Sequence, residues 1–489
     1  MRTALTILLL AAAIGMHAQS GYDASKITRG TKNIVAKIAA VNELMGSAVY
    51  YEGRRPKQFD YFVELEKTAS KQELLALTDH PNAVVRCYAC WALTHDSTVD
   101  LLPVIIRHLN DDSQVFTQFG CIGSSQAAGD FFIELVTPEL IDLEAKKLSE
   151  EKLRLLDSFL LFVPNRLDAK SWALQRADTS GSLYERIREL AIKAHDREAM
   201  VSLARYRKAR DIPFILDNPS CDQGNTRSCY YTWRAIAAFP NPAFFPLLEG
   251  CLRKTLDKTH YSNEWMELYN AIAAYQNENA VRLLTVPFTG ILHQDIRVYH
   301  LNYIYEAIRN RRIPVYQELL WRLWAEEGKI TPDVFAYLLA LDHTRAYEIT
   351  KKSLSEAGLA LINAGQYFNE DDSSGNIIDK MLDLVGQQDT ALYRSIIIRN
   401  IKKAAVLEFP VYASRVSARP DTAYIEPLLE RLEQEDNAYV YLEATKILIA
   451  YHSPVINQRM LAIKKTNPAL TKDWGGKDFT ELLRENGIY

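Results

Sequence analysis

The stretch AIAAFPNPAFFP, residues 235–246, contains the pattern that decides the fold. Small apolar residues end one helix, Asn-Pro makes a turn, and Pro246 stands among large apolar residues where the next helix begins. Similar stretches occur at 202–213, 271–282 and 337–348. The matching position recurs at intervals of 33, 36, 33 and 33 residues, at Tyr206, Phe239, Tyr275, Ile308 and Leu341. Such a sustained period indicates a chain built from repeated helix pairs.

A proline among apolar residues marks the start of a helix in several of these units. Proline is tolerated in the first turn of a helix because the N–H that it lacks would have no intrahelical acceptor there. The prolines in this setting are Pro103, Pro213, Pro246, Pro314 and Pro427. We expect a helix to begin at each of them.

Three further segments share a second layout, in which a leucine and a polar turn with aspartate precede a helix with small residues. They are LTDHPNAVVRCYACWAL (77–93), LNDDSQVFTQFGCIGS (109–124) and LEQEDNAYVYLEATKIL (432–448). Aspartate favours turns and helix caps, so the turns are assigned to Asp79, Asp111 and Asp436. Small side chains let two helices approach closely, which predicts packing positions at Ala89, Gly120, Ala237, Ala273 and Ala444.

The whole pattern resembles HEAT repeats. That family pairs two helices, with proline near the start of the first helix, aspartate at the turn, and Val-Arg followed by small residues in the second helix. Val85 and Arg86 match the Val-Arg position, and residues 89–90 match the small pair. The segment 109–124 departs from the pattern, with Phe116 and Thr117 in place of Val-Arg.

The resemblance implies an all-α solenoid of stacked HEAT-like helix pairs, wound as a right-handed superhelix, over residues 21–489. In such a stack each pair covers the apolar face of its neighbour. Signals for strands are weak, because apolar residues recur at three and four positions and not at two. The acidic stretch 366–376, which contains Ser-Gly, predicts a loop or a break in the stack. The resemblance implies a binding role and gives no chemistry.

Composition supports a folded chain and excludes some partners. The chain has 489 residues, of which 48% are hydrophobic and 24% are charged, so disorder over most of its length is excluded. Its 57 basic and 61 acidic residues give a formal net charge of -4. A nearly balanced chain offers no overall electrostatic attraction to nucleic acid, and none is expected as a partner.

Residues 1–20 have the layout of a secretory signal peptide, with Arg2, a short apolar run, and the small residues Ala18 and Ser20 before a cut after Ser20. The alternative is an uncleaved membrane anchor, but the run is shorter than the roughly 20 residues that a spanning helix needs. We therefore expect export to the periplasm or beyond, and no transmembrane span in the mature chain.

Export exposes cysteines to an oxidising environment. Cys221 and Cys229 bracket a short polar loop, and the sequence predicts a disulfide between them; two unpaired thiols flanking a loop are the alternative. Cys87 and Cys90 form a CxxC inside a predicted repeat helix, where packing explains them better than redox chemistry does.

Motifs for catalysis and metal binding are not found in the sequence. It contains no HExxH, no P-loop and no complete EF-hand loop. The dipeptides at His95 and His195, each followed by aspartate, lack assignable further ligands for a metal-dependent hydrolase. We accordingly assign no catalytic, cofactor-binding or metal-binding residue and expect no cofactor.

One segment has the composition of a binding surface. Aromatic residues and arginine are enriched in interface hot spots, and both types crowd the segment 297–324. The residues assigned to a partner-binding patch are Tyr299, Arg309, Arg311, Arg312 and Trp324, with the three arginines expected to be exposed and unpaired. A solvated turn beside an aromatic core is the alternative.

These observations favour an exported scaffold that binds a protein or peptide partner and has no catalysis of its own. An enzyme or cofactor-handling protein of lyase or hydrolase type on the same fold is the alternative, since fold alone does not decide function. A structural envelope protein associated with polysaccharide is a third hypothesis.

Overall fold

The computed structural model describes residues 21–138, 144–217, 229–291, 293–355 and 376–489. Within them the chain is mostly helical, with one small three-stranded sheet. It divides into two compact units, one reaching to Phe244 and the other beginning at Phe245.

The first unit contains twelve α-helices among its described residues. They are α1 (Arg29–Val41), α2 (Lys57–Thr68), α3 (Lys71–Leu77), α4 (Ala83–Thr94), α5 (Leu102–Arg107), α6 (Ala128–Val136), α7 (Glu150–Phe162), α8 (Ala169–Arg176), α9 (Tyr184–Lys193), α10 (Arg197–Ala204), α11 (Ile212–Leu216) and α12 (Cys229–Ala238). Short 3-10 helices are found at Ala24–Lys26, Ala209–Asp211 and Pro242–Phe244.

The described part of the second unit contains fifteen α-helices. They are α13 (Phe245–Thr255), α14 (Glu264–Ala273), α15 (Glu278–Thr285), α16 (Pro287–Gly290), α17 (Gln294–Arg309), α18 (Gln317–Glu327), α19 (Pro332–Leu341), α20 (His343–Ser355), α21 (Ile377–Gln388), α22 (Thr390–Lys403), α23 (Phe409–Ala418), α24 (Ile425–Gln434), α25 (Ala438–Ile449), α26 (Pro454–Thr466) and α27 (Asp473–Glu485). The 3-10 helices here are Pro314–Tyr316, Thr422–Tyr424 and Pro468–Thr471.

The predicted helix starts and ends are confirmed. The five prolines at predicted helix starts each lie in the first turn of an α-helix or 3-10 helix. The five periodic positions lie at the C-terminal end of a helix or within two residues beyond it. Local signals therefore set the helix boundaries over much of the chain.

The sheet corrects the prediction that the chain is all-α. It consists of β1 (Leu44–Val49), β2 (Gln114–Gly120) and β3 (Ile122–Ala127), with β1 parallel to β2 and β2 antiparallel to β3. The segment 109–124 is therefore not a second helical repeat. Its buried residues alternate with exposed ones around Phe116, as in a half-buried strand.

Gly120 is correspondingly not a helix packing position. It is the exposed last residue of β2, where the chain turns into β3, and its φ of 55° is a left-handed conformation that glycine adopts without steric cost. The other predicted packing residues lie in helices: Ala89, Ala273 and Ala444 are fully buried, and Ala237 is half-buried.

Helix α4 is buried almost throughout, and it packs against α2, α3 and α6. Every residue from Val84 to Thr94 is buried, including Cys87 and Cys90 of the CxxC. Burial raises the pKa of both thiols, so neither thiol is activated as a nucleophile or a redox centre. The packing interpretation of this motif is confirmed.

Arg86 joins two turns of this unit. Its Nε and one terminal nitrogen each donate a hydrogen bond of 2.7 Å to the Asp111 carboxylate, and its other terminal nitrogen donates to the backbone oxygens of His80 and Pro81. Burial opposes ionisation of Asp111, but the bonds from His108 and Arg86 outweigh it and hold the Asp111 pKa well below its usual range.

Candidate functional site

The structure places the predicted binding residues of segment 297–324 in different surroundings. Trp324 is only 1% exposed and stacks on Trp321 in the core, so it cannot contribute to a surface. Tyr299 is half-buried and lies parallel to Tyr261, with ring centroids 4.0 Å apart. The assignment of Trp324 to an exposed patch is therefore wrong.

The three arginines do not form an unpaired cluster. Arg309 donates to Glu306 at 2.7 Å, Arg312 pairs with Asp333, and half-buried Arg311 donates to the backbone oxygen of Ala307 at 2.9 Å. The expectation of unpaired arginines is wrong because Arg309 and Arg311 reach acceptors in α17 and Arg312 reaches Asp333 in α19. A binding role for the segment stays a prediction.

Other predictions concern residues outside the described part of the chain. These are the signal peptide at 1–20, Cys221 of the expected disulfide, and the stretch 366–375 of the expected break. Cys229 is described, as the half-buried first residue of α12. No helix in the described ranges has both the length and the apolar character needed to cross a membrane.

A cleft near the C-terminus is a stronger candidate site. It has a volume of about 550 Å³ and lies between the N-terminal ends of α25 and α27 and the 3-10 helix Pro468–Thr471. Its size is in the usual range for ligand sites. The lining residues are Asp436, Asn437, Ala438, Tyr439, Tyr441, Asn467, Pro468, Ala469, Lys472, Asp473, Trp474 and Gly475.

Two aromatic side chains at this cleft face solvent. Tyr439 is 72% exposed and Trp474 is 50% exposed, and their ring centroids are 5.4 Å apart at an angle of 59°. Large aromatic side chains dominate interface energetics because they bury much area with few rotatable bonds. An exposed pair of this kind provides apolar surface for a partner to cover.

The wall formed by the start of α25 is held by a buried polar network. Asn467 donates to the backbone oxygens of Leu432 and Glu435, both at 2.9 Å. The Glu435 carboxylate accepts from the Asn437 N–H at 2.9 Å and pairs with Arg431. These bonds fix the turn before Tyr439, so the ring is presented from a rigid support.

Glycine allows the opposite wall to come close. A Cβ added to Gly475 would lie 2.5 Å from the Ala438 Cβ and 2.1 Å from the Tyr441 hydroxyl oxygen. A Cβ on Gly476 would lie 2.5 Å from the backbone carbon of Thr471. The start of α27 can therefore approach α25 this closely because Gly475 lacks a side chain, and it can fold against the 3-10 helix Pro468–Thr471 because Gly476 lacks one.

The charges at the cleft nearly balance. Asp436 and Asp473 oppose Lys472 and the partial positive charges of two helix N-termini. All three charged side chains are exposed. Burial, followed by the charges of Asp478 and Asp473, raises the pKa of Tyr441 and keeps its hydroxyl protonated. The cleft therefore combines apolar rings with hydrogen-bonding groups and has little net charge.

The sequence contains a weak signal for this site. Gly475-Gly476 by itself predicts only a turn before a final amphipathic segment. Sequence reasoning misses Tyr439 and Trp474 because they are 35 positions apart, and each is simply an aromatic residue at a helix start. Aromatic residues on the solvent side of a helix's first turn are the feature that could have indicated them.

Comparisons with known proteins found no match. No protein-family model, no curated protein and no solved structure matches it. Among the described residues, no group of three or more histidine, cysteine, aspartate or glutamate side chains is placed to hold a metal ion.

Proposed function

We propose that this protein is an exported scaffold of stacked HEAT-like helix pairs that binds a protein partner and performs no catalysis. Support for the repeat arrangement comes from the recurring helix starts and ends and from the packing of successive helices within each unit. Export rests on the layout of residues 1–20, and a disulfide between Cys221 and Cys229 rests on that compartment.

The exposed pair of Tyr439 and Trp474 is the observation that carries the proposed binding role. Burying exposed aromatic area drives association at roughly 25 cal/mol per Å² before the costs of ordering are subtracted. Because the cleft walls are fixed, little conformational freedom is lost there on binding. An apolar side chain of the partner would contact the two rings, while its backbone bonds to the polar rim.

The near balance of charge at the cleft favours an uncharged peptide segment over a strongly acidic or basic one. A neutral polysaccharide could use the same rings, and the test must separate the two ligand classes. The test therefore compares protein capture with the binding of neutral oligosaccharides to the same purified protein.

The test uses the mature protein as bait in envelope extract of its native host. Trp474→Ala serves as the variant, and Tyr51→Ala, at a ring that is 87% exposed in the other unit, serves as the matched control. We expect the wild type and Tyr51→Ala to capture one protein partner equally well. Trp474→Ala should capture that partner at least about tenfold less well, a difference of about 1.4 kcal/mol in binding free energy. Equal capture by all three baits would refute the cleft as the partner site.

The polysaccharide hypothesis would be favoured if no such protein partner is captured, a neutral oligosaccharide binds the wild type, and Trp474→Ala abolishes that binding. Turnover of a captured small molecule would instead favour the enzyme hypothesis. N-terminal sequencing of the mature chain tests export separately, because a start at Met1 would contradict signal-peptide removal.

A further inference from the structure

Strand β3 lies at the edge of the sheet, since the strand order is β1-β2-β3. It contacts β2 on one side and the start of α6. The Ala128 N–H donates to the Ser113 oxygen at 2.9 Å, which sets the phase of the β2–β3 ladder. Because hydrogen-bonded pairs alternate along an antiparallel ladder, Gly123 and Ser125 direct their N–H and C=O groups away from β2.

This edge lacks the usual protection against pairing with another chain. Natural edge strands carry charged residues, proline or bulges that prevent such pairing. The segment 113–129 contains no charged residue and no proline, and β3 pairs with β2 in an unbroken register. Residues 122–125 are all exposed. The free main-chain groups are therefore accessible to a further strand.

An apolar side chain flanks the edge on each face of the sheet. Ile122 is 74% exposed on the face that it shares with Phe119, and Phe116 is 44% exposed on the opposite face. The Phe116 ring lies against Gly123, where an added Cβ would be 3.0 Å from its Cζ. A strand added beside β3 would cover both side chains.

The side chains along this edge distinguish a second copy of the chain from a partner segment as the added strand. In symmetric antiparallel pairings of two β3 strands that use the outward groups of Gly123 and Ser125, Ile122 faces a small or polar residue of the second copy: Ser124, Gln126 or Ala128. A second copy therefore offers no large apolar side chain to cover Ile122. A segment with apolar residues at two successive positions would cover both faces, because successive side chains of a strand point to opposite faces.

We propose that β3 binds an extended, uncharged segment of a partner protein, which adds to the sheet as a fourth strand beside Gly123 and Ser125. Main-chain hydrogen bonds supply the pairing, and two adjacent apolar residues of the partner cover Ile122 and Phe116. The inference rests on the proposed partner-binding function but uses residues separate from the aromatic cleft.

Residue-resolved hydrogen exchange of the full mature protein tests the free edge. We expect the amides of Gly123 and Ser125 to exchange with little protection and the amide of Ser124, inside the β2–β3 ladder, to be protected. Protection of all three amides in the free protein would overturn the proposal, because the edge would already be covered.

A labelled six-residue peptide with Val and Ile at its two central positions and Thr elsewhere tests pairing by fluorescence anisotropy. A matched peptide carries Lys at both central positions. We expect the uncharged peptide to bind at least about tenfold more tightly and to slow exchange at Gly123 and Ser125. Ser125→Lys should weaken its binding by about tenfold, whereas Ser182→Lys, at an exposed loop position of the same unit, should not.

Each contrary outcome has a distinct meaning. Failure of the uncharged peptide to bind, or equal binding of both peptides, would overturn the proposal. A dimer in light scattering that Ser125→Lys dissociates would show that a second copy occupies the edge instead. Trp474→Ala should leave peptide binding at β3 unchanged, so failure of the cleft and failure of the edge can be distinguished.

Discussion

Glu73 ties the N-terminus of α1 to that of α3, and its replacement provides a sharp test of this contact. One carboxylate oxygen accepts from the Thr28 N–H at 2.8 Å, and the other accepts from the Ser70 N–H at 2.8 Å and the Ser70 hydroxyl at 2.9 Å. Thr28 and Ser70 are the N-caps of α1 and α3. Burial opposes ionisation of Glu73, but these hydrogen bonds outweigh it and lower its pKa to about 2.

The size of the effect follows from that pKa. Lowering it from 4.5 to about 2 corresponds to an upper limit of about 3 kcal/mol, at about 1.36 kcal/mol per pH unit. Glu73 is 5% exposed by area but has few protein layers over its carboxylate, so water screens it and we expect about 1.5 to 2 kcal/mol. Because the folded pKa is the lower one, this stability is present above about pH 4.5 and is lost as the pH falls towards 2.

Glu73→Gln should therefore lower the local opening free energy of α1 and α3 by about 1.5 to 2 kcal/mol at pH 7 and by about half of that or less at pH 3. Hydrogen exchange of these helices, corrected for intrinsic rates, measures the local effect without assuming that the whole chain unfolds in one step. Glu64→Gln, which breaks an exposed pair with Lys37, is the control and should cost less than about 1 kcal/mol. An equal loss at both pH values would refute the electrostatic explanation.

Three further predictions concern stability. Burial, with a smaller contribution from nearby carboxylates, raises the pKa of Glu134 to about 7. Because the folded pKa is the higher one, the free energy of unfolding should fall by about 1 to 2 kcal/mol as the pH rises from 5 to 8. Thermal unfolding at both pH values measures this fall, and Glu134→Gln should remove it. Arg86→Met removes the guanidinium from the half-buried Asp111 carboxylate, which keeps only its weaker contacts with His108 and Ser113, and should cost about 3 kcal/mol in a denaturant titration, more than loss of an exposed arginine does. Gly475→Ala should lower the free energy of unfolding by about 1 to 3 kcal/mol through overpacking and should weaken binding at the cleft. Its control is Gly250→Ala, which lies inside a helix and whose Cβ would meet nothing within 4 Å; it should raise the free energy of unfolding by about 0.5 to 1 kcal/mol.

Helix boundaries were predictable because their causes are local. Proline in a first turn and aspartate before a helix act over a few residues, and a single sequence contains both signals. The aspartate signal also occurs within the segment 109–124, where Asp111 does occupy a turn. The element after that turn is a strand, and exposed and buried residues alternate in it only from Gln114 to Thr117. A period of two over four residues is easily missed within a chain dominated by helical periods.

The candidate sites were not predictable because they depend on tertiary contacts. The cleft exists because Gly475 lets α27 approach Ala438 of α25, and no spacing in the sequence encodes that approach. The expected exposure of Trp324 and the expected unpaired arginines of segment 297–324 were wrong for a related reason. Arginine and aromatic composition describes both a hot spot and a paired helix face, and only the contacts of Arg312 with Asp333 and of Trp324 with Trp321 decide between them.

The hairpin formed by β2 and β3 shows how a mostly helical unit can include a sheet and keep a packed core. Asp111 lies in the turn before β2, and Arg86 reaches it from α4. The turn is therefore anchored whether a helix or a strand comes next. β2 then places Val115 and Thr117 in the interior, while β3 contributes little buried surface beyond Ala127. A strand that adds so little to the core but leaves its main-chain groups accessible is better explained by pairing with a partner than by packing, and exchange at Gly123 and Ser125 is where that explanation can fail.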